Sequence, residues 1–249
     1  MPALEIRPGA RTVEGFVVPV PRIRRLAACC LGLLALTAAR AQVASPPPSL
    51  YGEVKGTTYV APGARFRMTI PVLPELGGQI HDTENVVTFD DPVSTHVSVA
   101  CFPLDLSNKW ELDTRGTRDY LEYFFKEFVF PDFAQRFPGS ANEASLYSPQ
   151  LRDGALFVFS LLPGGSAFES RTSVLESAPA SPAVAKRGTL LFVQNGCIFI
   201  LTAELAERVT QRSAFQKTPA QENEILRARL VELANRLQVP TPKPARPAR

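Results

Sequence analysis

The chain has 249 residues, of which 45% are hydrophobic, with 27 Lys and Arg against 24 Asp and Glu. Residues 1–41 contain six arginines and two glutamates, so the rest of the chain has 21 basic and 22 acidic residues. A remainder so close to neutral excludes the concentrated positive surface that nucleic-acid binding requires. Its length and apolar content predict one globular domain with a hydrophobic core.

The N-terminal segment has the three parts of a secretory leader in the required order. The positive region consists of Arg22, Arg24 and Arg25, and the short apolar run covers residues 26–39. Ala39 and Ala41 are the small residues before the cleavage site. We predict a signal peptide over residues 1–41, of which residues 1–19 result from a misassigned start codon. The mature chain is then exported, to the periplasm or outside the cell, with no membrane span. An acylated Cys29 is the less favoured alternative, because the apolar run follows this cysteine.

Composition divides the mature chain into three parts. Residues 42–56 are rich in proline and predict a linker, and residues 57–239 predict a single globular α+β domain. Residues 240–249 combine proline with basic side chains and hold no large apolar one, which predicts a disordered tail. The basic side chains of this tail are Lys243, Arg246 and Arg249.

The first part of the domain predicts three strands. Residues 66–70 alternate apolar and polar side chains, as a half-buried strand does. Residues 86–89 and 95–102 are rich in β-branched and aromatic side chains, and residues 90–92 (DDP) between them favour a turn. Because these strands follow one another along the chain, we expect them to form a meander.

A helix is predicted over residues 118–130, with Thr117 as its N-cap and Pro131 at its end. Apolar side chains recur at i, i+3, i+4 and i+7 in Leu121, Phe124, Phe125 and Phe128. This spacing places them on one helix face, which we expect to pack on a sheet.

The second group of strands ends in the clearest local signal of the chain. Residues 155–161 predict a buried strand, and Asn195-Gly196 separates two further apolar runs. Asn-Gly favours the positive φ angles of a type I′ turn, which predicts a tight hairpin. Its predicted pairs are Phe192 with Phe199 and Leu190 with Leu201.

A long helix follows near the C-terminus. Thr218 is expected to cap it, Pro219 takes the first helical position and Gln221 completes a capping box. Its predicted buried stripe consists of Leu226, Leu230, Leu233 and Leu237, and Pro240 is expected to end it.

These elements predict an α+β fold in which helices cover an antiparallel β-sheet. Their order, over residues 57–238, resembles the PsbP-like α/β/α sandwich in four segments: Phe66-Arg67-Met68-Thr69-Ile70-Pro71, Val86-Val87-Thr88-Phe89, Val97-Ser98-Val99 and Ile200-Leu201-Thr202. The resemblance implies a fold. It implies no single function, because proteins of that fold include photosystem accessory subunits, transport-factor binders and exported proteins.

No segment carries a catalytic, metal or nucleotide signature, so we predict no catalytic residue, metal ligand or cofactor. The chain has only two histidines, His81 and His96, and His96 is expected at the surface or at a pocket rim. Cys101 and Cys197 are the only cysteines after the leader. Two alternatives stay open for them, a single disulfide and two unbonded small side chains in the core.

An aromatic series follows the first helix. Phe130, Phe133 and Phe137 exceed what one helix face buries, and we predict that they form a binding lip. His96 is the fourth residue that we predict to bind a ligand. The function that we favour is a non-enzymatic, exported binding or accessory protein whose partner is another protein or a small apolar ligand.

Two other functions stay open. One is an exported enzyme whose site only folding assembles, and its sign would be a histidine that meets a carboxylate in a pocket. The other is a peripheral cell-surface module that uses the basic tail.

Overall fold

The structure, a computed structural model, describes residues 50–169, 182–211 and 214–240. The predicted leader, the three basic residues of the tail and most of the linker lie outside these ranges. Within them no helix is both long and apolar enough to cross a membrane.

The described residues form eleven strands in two antiparallel sheets. The strands are β1 Glu53–Lys55, β2 Thr58–Val60, β3 Arg67–Thr69, β4 Gln79–Asp82, β5 Val86–Asp90, β6 His96–Pro103, β7 Ala141–Ser148, β8 Ala155–Pro163, β9 Val184–Gln194, β10 Cys197–Glu204 and β11 Leu237–Gln238. The small sheet has the order β1-β2-β3-β11, and the large sheet has the order β4-β5-β6-β10-β9-β8-β7.

Five α-helices accompany the sheets in the described part of the chain. They are α1 Leu106–Arg115, α2 Thr117–Phe124, α3 Phe130–Arg136, α4 Glu207–Thr210 and α5 Pro219–Arg236. α1 was not predicted from the sequence. It begins after Asp105, whose side chain accepts a hydrogen bond of 2.7 Å from the backbone N–H of Asn108 and so caps the helix.

Both faces of the large sheet are covered, which confirms the predicted α+β class. On one face, α5 and the small sheet enclose the larger hydrophobic core, which contains Leu226 and Leu230 of α5 and Phe199 of β10. On the other face, α2 packs Leu121 against Leu191 of β9. The large sheet is therefore the middle layer of the molecule.

The predicted three-stranded meander is wrong. β3 lies in the small sheet, where it pairs with β2 and, through Met68 opposite Leu237, with β11. β5 pairs with β6 and with β4, a strand that was not predicted. Pro71 and Pro74 follow β3 and cannot continue it, and Pro74 opens a 3₁₀ turn before β4. β1 also lies inside the range that predicted a linker.

The predicted helix over residues 118–130 is interrupted. Thr117 is the first residue of α2 and not its N-cap. A π-helical turn covers Phe125–Val129, and α3 starts at Phe130, so Pro131 begins a helix instead of ending one. The ring of a proline clashes with the carbonyl one turn earlier in an α-helix, and the wider π turn relieves this clash. The turn also rotates Phe128 away from the sheet and leaves it 53% exposed.

The predicted hairpin is confirmed. β9 and β10 are joined by Asn195-Gly196, with Phe192 opposite Phe199 and Leu190 opposite Leu201. Asn195 has a φ of 52° and Gly196 a φ of 73°, as a type I′ turn requires.

Replacing Gly196 with valine should lower the free energy of unfolding by about 1–3 kcal/mol. A Cβ at this position meets no atom within 4 Å, so the loss comes from the strain of a β-branched residue at positive φ. Urea denaturation followed by circular dichroism measures it. Asn195→Gly is the matched control, because glycine keeps the turn geometry; an unchanged midpoint for Gly196→Val would contradict the hairpin.

The capping of α5 is also confirmed. The Thr218 side chain accepts a hydrogen bond from the N–H of Gln221, whose own side chain accepts one from the N–H of Thr218. The helix ends at Arg236, before the predicted Pro240, and Leu237 belongs to β11 although it is buried.

α5 crosses the sheet above Gly188 of β9. A Cβ at this position would lie 2.9 Å from Leu230 Cδ1 and 3.2 Å from Leu226 Cβ. The missing side chain therefore sets how closely α5 approaches the sheet.

Candidate functional site

The sheet face that α2 covers is divided into an apolar half and a polar half. In the apolar half, one row of directly paired residues crosses six strands: Tyr147, Leu156, Leu191, Ile200, Ala100 and Val86. The side chains of this row belong to the core beneath α2. Such a row is what a helix-covered sheet face normally presents.

The next two rows are polar across almost the whole sheet. The first consists of Ser145, Val158, Thr189, Thr202, Ser98, Thr88 and His81, and the second consists of Asn142, Ser160, Arg187, Glu204, His96, Asp90 and Gln79. Glu204 and His96 follow directly on the last pair of their ladder, Ala203 with Val97. We call the thirteen polar members of these two rows the polar band.

Strand periodicity places the band where it is. In β10, Ile198 and Ile200 face α2, and Thr202 and Glu204 continue the same alternation toward the end of the strand. β6 changes in the same direction, because Ser98 and His96 lie on the face of Ala100. The band thus continues the sheet face on which α2 packs, toward the other ends of its strands.

A buried ion pair lies in the second row of the band. Glu204 is 2% exposed, and its carboxylate accepts hydrogen bonds from Ser166 Oγ at 2.5 Å and from the N–H of Ala167 at 3.1 Å. Arg187 Nη2 lies 3.5 Å from the same carboxylate and donates to the carbonyl of Gly165 at 3.2 Å. The pair therefore ties the band to the loop that follows β8.

Three buried polar atoms of the band have no hydrogen-bond partner among the described residues: His96 Nδ1, Arg187 Nε and Thr189 Oγ1. Thr189 is fully buried. Unpaired buried polar atoms are rare in folded proteins, because each costs about 1–3 kcal/mol of desolvation. Three such atoms on one face of the sheet reduce the stability of the fold, so the stability of the fold does not explain why the band is polar.

Stability should fall as the pH drops below about 6.5, and His96 should contribute to this fall. Burial, together with the charge of Arg187, lowers the pKa of His96 from its ordinary 6.5, and Glu204 and Asp90 oppose this in part. Between the lowered pKa and 6.5 the unfolded chain binds a proton that the folded chain does not, so the native state loses stability there as the pH falls.

Urea denaturation between about pH 7.5 and about pH 5 measures this linkage. His96→Asn should reduce the pH dependence, whereas His81→Gln, which removes the exposed imidazole of β4, should retain it. Equal slopes for the wild type and His96→Asn would show that His96 protonates alike in both states.

A cleft of about 220 Å³ opens where β6 begins and β10 ends, between these strand ends and α5, which packs on the face of the sheet opposite the band. His96 and Glu204 contribute to its lining, together with Arg229, Arg236 and Leu233 of α5. The charged groups of α5 are already paired. Arg229 contacts Glu207 at 2.5 Å, and Arg236 contacts Glu232 at 2.5 Å.

Of the four residues predicted to bind a ligand, His96 lies in the band and at the cleft. Phe133 is 8% exposed and packs with Leu162 and Ala185, and Phe130 and Phe137 are half-buried against the same cluster. α3 thus holds these rings against the sheet. The Arg187 guanidinium carbon lies 5.7 Å from the Phe133 ring centroid, so the aromatic cluster and the band meet at Arg187. A ligand-binding role for the three rings stays a prediction.

The two cysteines lie on the opposite face of the sheet and are not bonded to each other. Cys101 pairs with Phe199, and Cys197 pairs with Pro103 two pairs further along the same ladder. Burial, with a contribution from Cys197, raises the pKa of Cys101 to about 12, so its thiol is a poor nucleophile. The structure thus has the second alternative, two unbonded side chains.

Residues that the sequence did not single out carry most of the band. Three of these residues are Glu204, Arg187 and Thr202, whose side chains are polar. The alternation along their strands places them on the same face as apolar residues that a helix covers, and this conflict is the signal that could have found them. No group of three His, Cys, Asp or Glu side chains within residues 50–169, 182–211 and 214–240 is placed to hold a metal ion.

The fold and the site define an α+β protein with a three-layer arrangement and a polar band on its central sheet. No protein-family model matches the chain. No curated protein matches it either.

Solved structures are similar to it. A cyanobacterial PsbP (CyanoP) from Synechocystis is 13% identical with a TM-score of 0.41, over 76% of this chain and 98% of that one. The Ran-binding protein Mog1p from Saccharomyces cerevisiae is 10% identical with a TM-score of 0.39, over 77% and 96%. A protein from Bacteroides thetaiotaomicron is 10% identical with a TM-score of 0.36, and this chain spans half of its length. A PsbP is thus among the similar structures, and similarity at this level says nothing of function.

Proposed function

We propose that this chain is an exported, non-catalytic binding protein whose ligand site is the polar band with its adjoining cleft. The observation that carries the proposal is the group of three unpaired polar atoms, of His96, Arg187 and Thr189, in the band. The other half of the same sheet face packs against apolar side chains of α2. Burying such groups unpaired destabilises a fold, and a bound ligand that displaced the side chains around them and paired with them would offset this cost.

The hydrogen bonds and the ion pair of Glu204 favour binding over catalysis. A histidine does lie near a carboxylate at a cleft here, and such a pair is the sign that we associated with an enzyme. The carboxylate, however, already accepts hydrogen bonds from Ser166 and Ala167 and contacts Arg187. A carboxylate whose oxygens are already bonded to three groups is a poor partner for orienting an imidazole in acid–base catalysis.

The site also favours a polar ligand over the small apolar one that the aromatic series indicated. The rings of Phe130, Phe133 and Phe137 are used in packing, whereas the accessible groups of the band are hydroxyl, imidazole, amide and carboxylate. A ligand in this position would replace water at hydrogen-bonding groups.

Export is part of the proposal and has its own test. The leader over residues 1–41 supports it, and cleavage after Ala41 would make Gln42 the first residue. N-terminal sequencing of periplasmic or secreted protein should find Gln42. Full-length protein in the membrane fraction would overturn export, and an acylated Cys29 would overturn cleavage after Ala41.

Binding is tested by titrating the mature protein with glucose, glycine, inorganic phosphate and indole, which represent a neutral polyol, a zwitterion, an anion and an apolar ring. Side-chain NMR of the two imidazoles reports contact with His96, and His81→Gln assigns the signals. We expect one polar probe to shift the His96 signals with a Kd below about 1 mM, or about −4 kcal/mol. His96→Asn should weaken this binding and His81→Gln should not. The proposal fails if no polar probe binds, or if indole alone does.

A further inference from the structure

We infer that the ligand of the polar band is an uncharged saccharide, an inference that rests on the proposed function and names its ligand class.

The charged groups of the site are matched within the protein. Arg187 contacts Glu204 at 3.5 Å, and His81 lies 3.6 Å from Asp90. The guanidinium groups of α5 at the cleft are paired with Glu207 and Glu232 in the same way. A charged ligand would have to break one of these pairs and leave its partner buried and uncompensated, which is costly. A neutral ligand leaves every pair intact.

The hydrogen-bonding groups of the band match a ligand that has donors and acceptors side by side. Ser98 Oγ and Thr202 Oγ1 share a hydrogen bond of 2.7 Å, and each hydroxyl retains further bonding capacity. Thr88 continues the same row on β5, so hydroxyl groups repeat from strand to strand at about 4.8 Å. His96, which contributes to the cleft lining, lies in the next row. Closely spaced ligand hydroxyls, which both donate and accept, fit such an array.

A peptide fits less well, although it too is neutral and has donors and acceptors. β5, β6 and β10 lie inside the large sheet, so their backbone groups are already used in the ladders. Extended peptides bind to sheets by adding to an edge, where backbone groups are free. A ligand above the band reaches side chains alone.

The cleft sets the scale of the ligand. Its volume of about 220 Å³ lies below the range of about 300–1,000 Å³ that is typical of drug-sized ligands, and suits a single sugar ring. Pro71 and Leu233 supply apolar lining for the C–H groups of such a ring, beside His96 and Glu204.

The test is calorimetric titration of the mature protein with maltotriose, cellotriose and chitotriose, and with inorganic phosphate, acetate and triglycine as the charged and peptide alternatives. We expect at least one trisaccharide to bind, with a Kd that is unchanged between about 0.1 M and about 1 M salt, because no charge contact is screened. Thr202→Val, which removes one hydroxyl from the band at nearly constant volume, should weaken binding about tenfold.

Thr114→Val is the matched control, since its hydroxyl bonds to the carbonyl of Trp110 within α1, outside the band. Binding by Thr114→Val should equal that of the wild type, and near-ultraviolet circular dichroism verifies that both variants are folded. His96→Asn serves as a second variant of the band if Thr202→Val is not folded.

The possible failures can be told apart. If phosphate, acetate or triglycine binds in a manner that depends on His96 and no trisaccharide does, the proposed function stands and the saccharide inference falls. If a trisaccharide binds equally to the wild type, Thr202→Val and His96→Asn, its site is elsewhere and the inference falls. If no probe binds, both proposals fall.

Discussion

Replacing Phe199 with alanine should lower the free energy of unfolding by about 3–5 kcal/mol. This ring is fully buried in the larger core, stacked on Phe192 with centroids 5.1 Å apart and in edge contact with Phe66 at 6.2 Å. Truncation removes apolar area from the core and leaves a cavity between the large sheet and the small one, where both sheets limit relaxation.

Urea denaturation of the mature protein measures the loss, and Phe128→Ala is the matched control. Phe128 has the same side chain, but it is 53% exposed on the π-helical turn, and its main contacts are with the rings of Phe124 and Tyr123. Its truncation should cost far less. Equal losses for the two variants would show that Phe199 is not in a closed core.

Replacing Lys186 with alanine should lower the free energy of unfolding by about 3 kcal/mol. The side chain is fully buried, its Nζ lies 3.0 Å from Glu222 Oε2 and also contacts Glu143, and it donates to the carbonyl of Pro219 at 3.2 Å. Removing the cation leaves two carboxylates without it. We expect the lower end of the range for broken buried pairs, because Arg208 also contacts Glu222, at 2.7 Å.

Lys55→Ala is the matched control for this variant. Lys55 also contacts a glutamate, Glu53 at 2.6 Å, but their side chains are 68% and 67% exposed. Solvent and salt screen such a pair, so its loss should leave the midpoint of urea denaturation unchanged. A loss for Lys186→Ala as small as that for Lys55→Ala would mean that water reaches the Lys186 site.

The parts of the fold that the sequence predicted correctly depend on neighbouring residues. The hairpin at Asn195-Gly196 follows from two residues that tolerate positive φ, and its pairs follow from counting outward from them. The start of α5 follows from Thr218 and Gln221, which bond to each other across three positions. Where the deciding contact was more distant, the prediction failed, as for β3, which pairs with β11 at the other end of the domain.

The candidate site was predicted only through His96. Each strand shows by its own alternation which side chains share a face, and β6 thereby placed His96 opposite the apolar set of Val97 and Val99. The band arises when seven strands align in register, and the order that brings β6 beside β10 joins segments about a hundred residues apart. Glu204 became recognisable only when this pairing put it beside His96.

By itself the sequence determined the leader pattern, the α+β class, the hairpin and the capped final helix, because short-range hydrogen bonds, turn geometry and periodicity act within a few residues. Only the tertiary structure decided which strands pair, where the small sheet closes on β11 and that Phe128 faces solvent. It also decided that Arg187, Glu204 and His96 share one row. Long-range register depends on packing summed over the whole core, to which no single segment contributes enough to specify it alone.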